Sequence, residues 1–363
     1  MQPKFTIIYA FRNRDEDRVR CSLASLSRQK THNFEVQFVD YGSQDKYSEA
    51  VQNVVEAFSF ATYHYIAHEG LLWNKSKALN YGIQKATGDY IFIADVDIIF
   101  HPDTTTLFDQ ISNDDKAFLF TLSYLEKNSS ENLDHSTPFE SLPIKHSGNV
   151  NGMILVSKKT LRSIYGYDNF FHFYGSEDVD LYERLRNKGL SILNRDEMYF
   201  KHIWHEIYNN YDDTQMSLVP RLYNVKRINQ EHFNFNKAQK LSKPMRQENW
   251  EYVILKQDLK ALKNPDVTIQ LSNVHAEVVH FFEFELERYK DRVVKTVIKE
   301  DNYYHSLKFK AKKILNKPSV SYMSIKDIND LVLSKILYKY KDHNYSYDIA
   351  SDLKSISFTI KIE

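Results

Sequence analysis

Asp95-Val-Asp97 places two carboxylates two residues apart, directly after the apolar run that starts at Tyr90 and directly before Ile98-Ile-Phe100. Oxygen ligands at that spacing suit Mg2+ or Mn2+ bound to a diphosphate, and such an ion neutralises charge on a departing phosphate. Asp-x-Asp is common in exposed loops, but its place between apolar runs favours a ligand. Gly175-Ser-Glu-Asp178-Val-Asp180 opens a helix behind the aromatic run Phe170-Phe-His-Phe-Tyr174. Acids in a first helical turn are favourable with the helix dipole alone. Three carboxylates in four positions beside aromatic rings exceed that need, and burial there would raise a carboxyl pKa toward that of a general base. His202 and His205 could complete a metal shell begun by Asp97, although a lone histidine is more often structural. Asp40-Tyr-Gly-Ser43 offers a carboxylate that could accept from a base N–H, and a simple Asx turn explains the same residues.

These groups need elements to position them, and the first 200 residues supply an alternation of strand and helix. Strands are expected at Thr6–Phe11, Phe34–Asp40, Ala61–Ile66, Tyr90–Asp95, Phe118–Leu122 and Met153–Val156. Helices are expected from Asp15 to Gln29, from about Tyr47 to Phe58, over Lys75–Ala86 and over Glu177–Lys188, the last two stopped by Gly88 and Gly189 as left-handed caps. The alternation predicts an α/β fold with a largely parallel sheet, and ligands of such sheets bind beyond the carboxyl ends of the strands. Asp40 and Asp95-Val-Asp97 both follow strands. Glu126 to Gly148 reads as a long polar loop. After about residue 220 the alternation fades, leaving a mainly helical extension with a long helix over Asn273–Val297.

Composition agrees with a division near 220. The 363 residues carry 48 basic and 48 acidic side chains, so no strongly basic nucleic-acid binder is implied. Residues 1–219 have a balance of −8 and residues 220–363 one of +8, and all nine glycines lie between Gly42 and Gly189. Two domains are therefore expected, 1–220 and 221–363, the second basic and rich in Lys and Tyr. One cysteine, Cys21, excludes an internal disulfide framework and a cysteine zinc site. The sequence shows no apolar signal region and no long apolar span, so a cytoplasmic protein is expected, peripheral at the inner face of the membrane if the basic part engages it.

Taken in order, these segments resemble the family 2 glycosyltransferases of the GT-A fold. The resemblance runs from about Lys4 to His205 through Tyr9-Ala-Phe-Arg-Asn13, Val39-Asp-Tyr-Gly-Ser43, Lys75-Ser-Lys-Ala-Leu-Asn80, Asp95-Val-Asp97 and Gly175-Ser-Glu-Asp178. The last segment is also similar to the Gly-Glu-Asp region of metal-dependent galactosyl- and N-acetylgalactosaminyltransferases, including bacterial capsule polymerases. The resemblance implies a Rossmann-like sheet and an inverting transfer of a sugar from a UDP-sugar, such as UDP-Gal or UDP-GalNAc. The acceptor would be a hydroxyl of an oligosaccharide or lipid-linked glycan in bacterial-type surface polysaccharide synthesis. By the same resemblance Asp40 would bind uracil, Ala10, Arg12 and Asn13 would flank the nucleotide, and Lys77 and Asn80 would lie near ribose or phosphate. Asp95 would hold ribose and the donor sugar, and Asp97 would coordinate Mn2+ or Mg2+ with one of His202 and His205. Glu177 would touch the sugars, and Asp178 would be the base. Where the family has Gly-Gly-Glu-Asp, this chain has Ser176 at the second position, which restricts backbone approach.

A module that binds a nucleotide-sugar or carbohydrate without turnover would keep Asp40 and the aromatic surface but would not need Asp178. A nucleotidyltransferase would want a glycine-rich loop after the first strand, where this chain has Phe11-Arg-Asn-Arg-Asp15. The +8 extension could face an anionic membrane or polysaccharide, and an ordinary solvated face accounts for it equally well.

Overall fold

Strand β1 (Phe5–Phe11) shows how the sequence builds the sheet. Successive side chains of a strand point to opposite faces. Phe5, Ile7, Tyr9 and Phe11 enter one core with Val19, Leu23, Leu26, Val51 and Phe108. Ile8 enters the other with Leu79, Ile83, Leu161, Leu181 and Leu185. Apart from Thr6, the strand is apolar because both faces are covered. Helices Glu16–Ser27 and Asp45–Glu56 supply the first cover, and Lys75–Lys85 and Glu177–Asn187 the second.

The computed structural model describes residues 3–131, 133–149, 152–206 and 213–362. Its first unit comprises Met1–Ile66, Trp73–Asn210 and Lys226–Val253. There β1 joins β2 (Phe34–Tyr41), β3 (Ala61–Ile66), β4 (Tyr90–Ala94), β5 (Ile98–Phe100), β6 (Lys116–Phe120), β7 (Leu122–Leu125), β8 (Ile144–Gly148), β9 (Ile154–Ser157), β10 (Ser191–Arg195) and β11 (Phe200–His202). A seven-stranded sheet has the order β10-β6-β9-β4-β1-β2-β3. It is parallel except at β9, which runs antiparallel to β4 and β6. This is the mostly parallel sheet with flanking helices expected from the alternation. A smaller sheet, β5-β11-β7-β8, stands beside it.

Four local expectations are corrected. The strand expected at Phe118–Leu122 is two strands, β6 and β7, that join different sheets with Thr121 between them. The polar stretch 126–148 is not all loop, because it carries a short helix at Lys127–Glu131 and ends in β8. Gly88 is not a left-handed cap; a Cβ there would come within 2.7 Å of the Phe5 backbone, so the glycine serves a close approach to β1. Gly189, at φ +100, does take the cap conformation. The long helix over Asn273–Val297 holds only to about Tyr289, after which Val293–Lys299 is a strand.

The second unit comprises Ala67–Leu72, Tyr211–Val225 and Ile254–Glu363. Residues 226–253 thus stay with the first unit, beyond the border that the charge split suggests. Helices make up most of its regular structure, but they accompany a sheet that the sequence reading lacked. Strands β12 (Val267–Ser272), β13 (Val293–Lys299), β14 (Tyr345–Ile349) and β15 (Ser355–Lys361) form it in the order β12-β13-β15-β14. Ile328, Val332 and Leu333 of the helix Ile325–Lys335 are fully buried, as are Ile356, Phe358 and Ile360 of β15. Among the described residues, no helix is long and apolar enough to cross a membrane.

Candidate active site

Because β1, β2 and β4 are parallel, their carboxyl ends lie along one edge of the large sheet. That edge carries Arg12 and Asn13 after β1, Asp40 near the end of β2, and Asp95 and Asp97 after β4. Pairing in the small sheet brings in the histidines. β11 runs antiparallel to β5 with His202 opposite Ile98, and Ile203 N–H donates to Asp97 O at 2.9 Å. That register sets the His202 imidazole beside the Asp97 carboxylate. The same sheet pairs His202 with Tyr124 and Tyr124 with His146, and the Tyr124 ring stacks on His146 at 4.6 Å between centroids.

Asp97 is 7% exposed. Its Oδ2 lies 3.1 Å from His205 Nε2 and its Oδ1 lies 3.5 Å from His202 Nε2. One ligand atom from each of the three residues falls within 4.8 Å of the others. Among the described residues, Asp97 Oδ1 and His202 Nδ1 are buried without a hydrogen-bond partner. Burial alone would raise the Asp97 pKa, but the charge of His202 and the hydrogen bond from His205 outweigh it and hold the carboxyl at about 2. A buried carboxylate oxygen left without a donor costs about 1–3 kcal/mol or more. One carboxylate with two imidazoles is a donor set that a divalent first-row ion satisfies. The residues therefore fit a divalent transition ion such as Mn2+ more closely than the oxygen-preferring Mg2+, and both histidines, rather than one, stand at the group.

A second cluster gathers around Lys75, at the start of the 75–85 helix. Its Nζ pairs with Asp95 Oδ1 at 2.8 Å. Burial works to lower the Lys75 pKa, yet the charges of Asp95, Glu177 and Asp178 prevail and raise it, so the side chain stays an ammonium. Glu177 and Asp178 are raised, first by burial and further by neighbouring acids, with Lys75 opposing. A Cβ on Gly152 would stand 3.8 Å from Lys75 Nζ and 4.0 Å from Asp178 Oδ2, so the missing side chain leaves that corner open. Sequence reasoning placed Lys75 in a motif without a role and passed over Gly152 and Tyr124. A charged residue at the first turn of a helix facing two acidic motifs was the available signal.

The turn before Glu177 is strained. Phe173, Gly175 and Ser176 have φ of 62°, 103° and 73°. Left-handed backbone costs a residue with a Cβ about 1 kcal/mol, and Ser176 occupies it where glycine would be free. A buried brace holds this turn. Asn229, His232 and Asn236 lie three and four residues apart on the helix Val225–Ala238, hence on one face. Asn229 Nδ2 donates to His172 O and Tyr174 O at 3.0 and 3.1 Å. His232 Nε2 meets Asp168 Oδ2 at 2.9 Å, and Asn236 Nδ2 reaches Asp168 Oδ2 and Asp180 Oδ1. Asp180 is also paired with Arg184 at 2.7 Å, both 1% exposed, so the third acid of the Gly175–Asp180 motif belongs to the scaffold.

Asn80 and Lys77, expected near ribose or phosphate, are both held inside the protein. Asn80 is spent within the protein: its Nδ2 donates to Tyr167 O and Asn169 Oδ1, and its Oδ1 accepts from Tyr167 N–H. Among the described residues these bonds engage both ends of its amide, which braces the turn at 165–169. Lys77 is 3% exposed and faces the interior. Asp40 is fully buried and accepts from Ser43 N–H and Tyr63 Oη, each at 2.9 Å, which is the Asx-type turn. Burial raises its pKa while these bonds and the Arg12 charge oppose the rise. Asn13, at φ 49, ties the ends of β1 and β2 together, its N–H donating to Ser43 Oγ and its Oδ1 accepting from Gln44 N–H. Ala10 and Arg12 are half-buried on that same edge.

Residues 6–165 match the sequence model described as Glycosyl transferase family 2, and residues 133–206 match one described as the N-terminal domain of galactosyltransferase. No curated protein sequence matches the chain. Among solved structures, it is similar to the mannosyltransferase PcManGT from Pyrobaculum calidifontis in complex with GDP-Man and Mn2+, at 17% identity and a TM-score of 0.42 over 57% of this chain and 59% of that one. S. aureus TarS is similar at 17% identity and 0.41, over 55% and 37%. The catalytic domain of Drosophila beta1,4-galactosyltransferase 7, complexed with xylobiose, is similar at 19% identity and 0.39, over 63% and 79%. The chain thus spans less than two thirds of the first two.

Proposed function

We propose that this chain, whose residues 6–165 match the family 2 glycosyltransferase model and whose residues 133–206 match the galactosyltransferase one, is a glycosyltransferase that moves a hexose from a UDP-sugar to a glycan hydroxyl with inversion. The observation that carries this reading is the convergence of Asp97, His202 and His205 around a buried oxygen that lacks a donor. These three residues would hold Mn2+ or Mg2+, which would supply positive charge for the departing diphosphate. The chain's own groups do the rest. Asp178, raised in pKa by burial, takes the proton of the acceptor hydroxyl. The acceptor oxygen then bonds to the sugar C1 as the bond from C1 to the diphosphate oxygen breaks, and UDP leaves with the electron pair. Lys75 holds Asp95 in place and, with Glu177, faces the sugar. The ends of β1 and β2 and the loops after them form the nucleotide side, with Ala10, Arg12 and Asn13 along it and the buried Asp40 shaping the turn beneath by accepting from Ser43 and Tyr63. A bacterial-type surface glycan is the acceptor class that this reading favours.

The test is UDP release from a panel of UDP-sugars with Mn2+, without acceptor and with oligosaccharide acceptors. Release that depends on acceptor and is abolished by EDTA is expected. Donor binding with no release under any pairing would contradict the reading.

A further inference from the structure

The second unit carries a short helix, Leu307–Ile314, whose outer face holds the two most exposed large apolar side chains among the described residues. Leu307 and Ile314 are 84% and 81% exposed, and Leu315, the next residue, is 63% exposed. At 3.6 residues per turn, Leu307, Ala311, Ile314 and Leu315 fall within about 100° of one another. Phe309 points the opposite way, buried against Tyr303, Tyr304 and Tyr322. Ser306 caps the helix by accepting from Phe309 N–H. An eight-residue helix has little stability of its own, so the cap and the Phe309 anchor fix which side is turned outward.

Lysines frame that apolar strip. Lys308 and Lys310 flank it, Lys312 and Lys313 lie behind them, and Lys317 follows. No acidic residue occurs from residue 302 to residue 326. Long basic side chains beside exposed leucine and isoleucine are the pattern of a helix that lies in a lipid interface, with apolar residues in the acyl boundary and ammonium groups at the phosphates. A second copy of this face would bring five lysines against five lysines, which charge disfavours. A soluble polyanion would satisfy the lysines and leave Leu307 and Ile314 in water. We infer that the helix 307–314 docks this protein on an anionic lipid surface, by Leu307, Ile314 and Leu315 together with the five lysines. The inference does not depend on which sugar is transferred.

The experiment is sedimentation of the full chain with vesicles of phosphatidylcholine alone and of phosphatidylcholine mixed with phosphatidylglycerol. Binding to the mixed vesicles only, weakened by salt, is expected. Lys308→Gln with Lys310→Gln should weaken it by roughly fivefold for each charge. Leu307→Ser with Ile314→Ser should weaken it about tenfold or more. All four positions are exposed, and circular dichroism checks that the fold is kept. Three outcomes overturn the inference. They are no binding to the mixed vesicles, binding unchanged in both variants, or binding lost with the lysines but kept without Leu307 and Ile314. The last would mark a site for a soluble polyanion.

Discussion

Two buried acid clusters of the first unit make opposite use of their hydrogen bonds. Asp180 is 1% exposed and both its oxygens are taken, one by Arg184 Nε at 2.7 Å and one by Asn236 Nδ2 at 2.9 Å. Arg184 Nη1 goes on to Ile164 O and Gly166 O, which leaves only its Nη2 bare. Asp97 is nearly as buried, but its Oδ1 has no donor and the imidazole that faces it has its own Nδ1 bare. Buried charge with its partners supplied is scaffold. Buried charge with a partner missing among the described residues, at the carboxyl edge of a parallel sheet, is where we place the proposed cation. The same contrast divides one short helical turn, where Glu177 and Asp178 face the site while Asp180 faces the protein.

That contrast can be broken by substitution. Asp178→Asn should lower kcat by about 10²–10⁴, the usual loss for a general base. A carboxyl whose folded pKa lies above its unfolded value destabilises the fold above that folded pKa and is neutral below the unfolded one. The Asn variant should therefore melt at a higher temperature than its parent at pH 7, and the parent's acid limb in kcat/KM should lie above the ordinary Asp value. Inactivity together with a lowered Tm would place Asp178 in the scaffold. Arg184→Ala leaves Asp180 buried without its ion partner and should cost about 3–5 kcal/mol in a urea titration. Asn236→Ala should cost about 1–3 kcal/mol and leave Mn2+ affinity unchanged. Smallest, Ser176→Gly relieves a left-handed serine and should stabilise by about 1 kcal/mol or less, offset by the added freedom of glycine in the unfolded chain.

Much of the large sheet was legible because its strands are continuous apolar runs and its helices carry apolar stripes at helical spacing. β3 agrees with the expected strand at both ends, and β1, β2 and β4 within a residue. The small sheet was not legible. β5 and β11 are three residues each, too short for a period, and their pairing spans about a hundred residues of chain. That pairing is what joins His202 to Asp97, so the candidate metal group was legible only by residue type. The brace that Asn80 makes to Tyr167 and Asn169 was not legible either, because a polar residue in a helix near the site reads alike whether it faces a ligand or braces a turn. In the second unit, Ser355-Ile-Ser-Phe-Thr-Ile-Lys361 does alternate, and that signal could have revealed β15.

The central claim is that Asp97, His202 and His205 form a divalent-cation site. Calorimetric titration of Mn2+ in the presence of UDP, on the parent and on Asp97→Asn, tests it most directly. Saturable binding by the parent that is lost in Asp97→Asn, with Asn236→Ala binding as the parent does, is the result this structure leads us to expect. Equal Mn2+ affinity in parent and Asp97→Asn would contradict it.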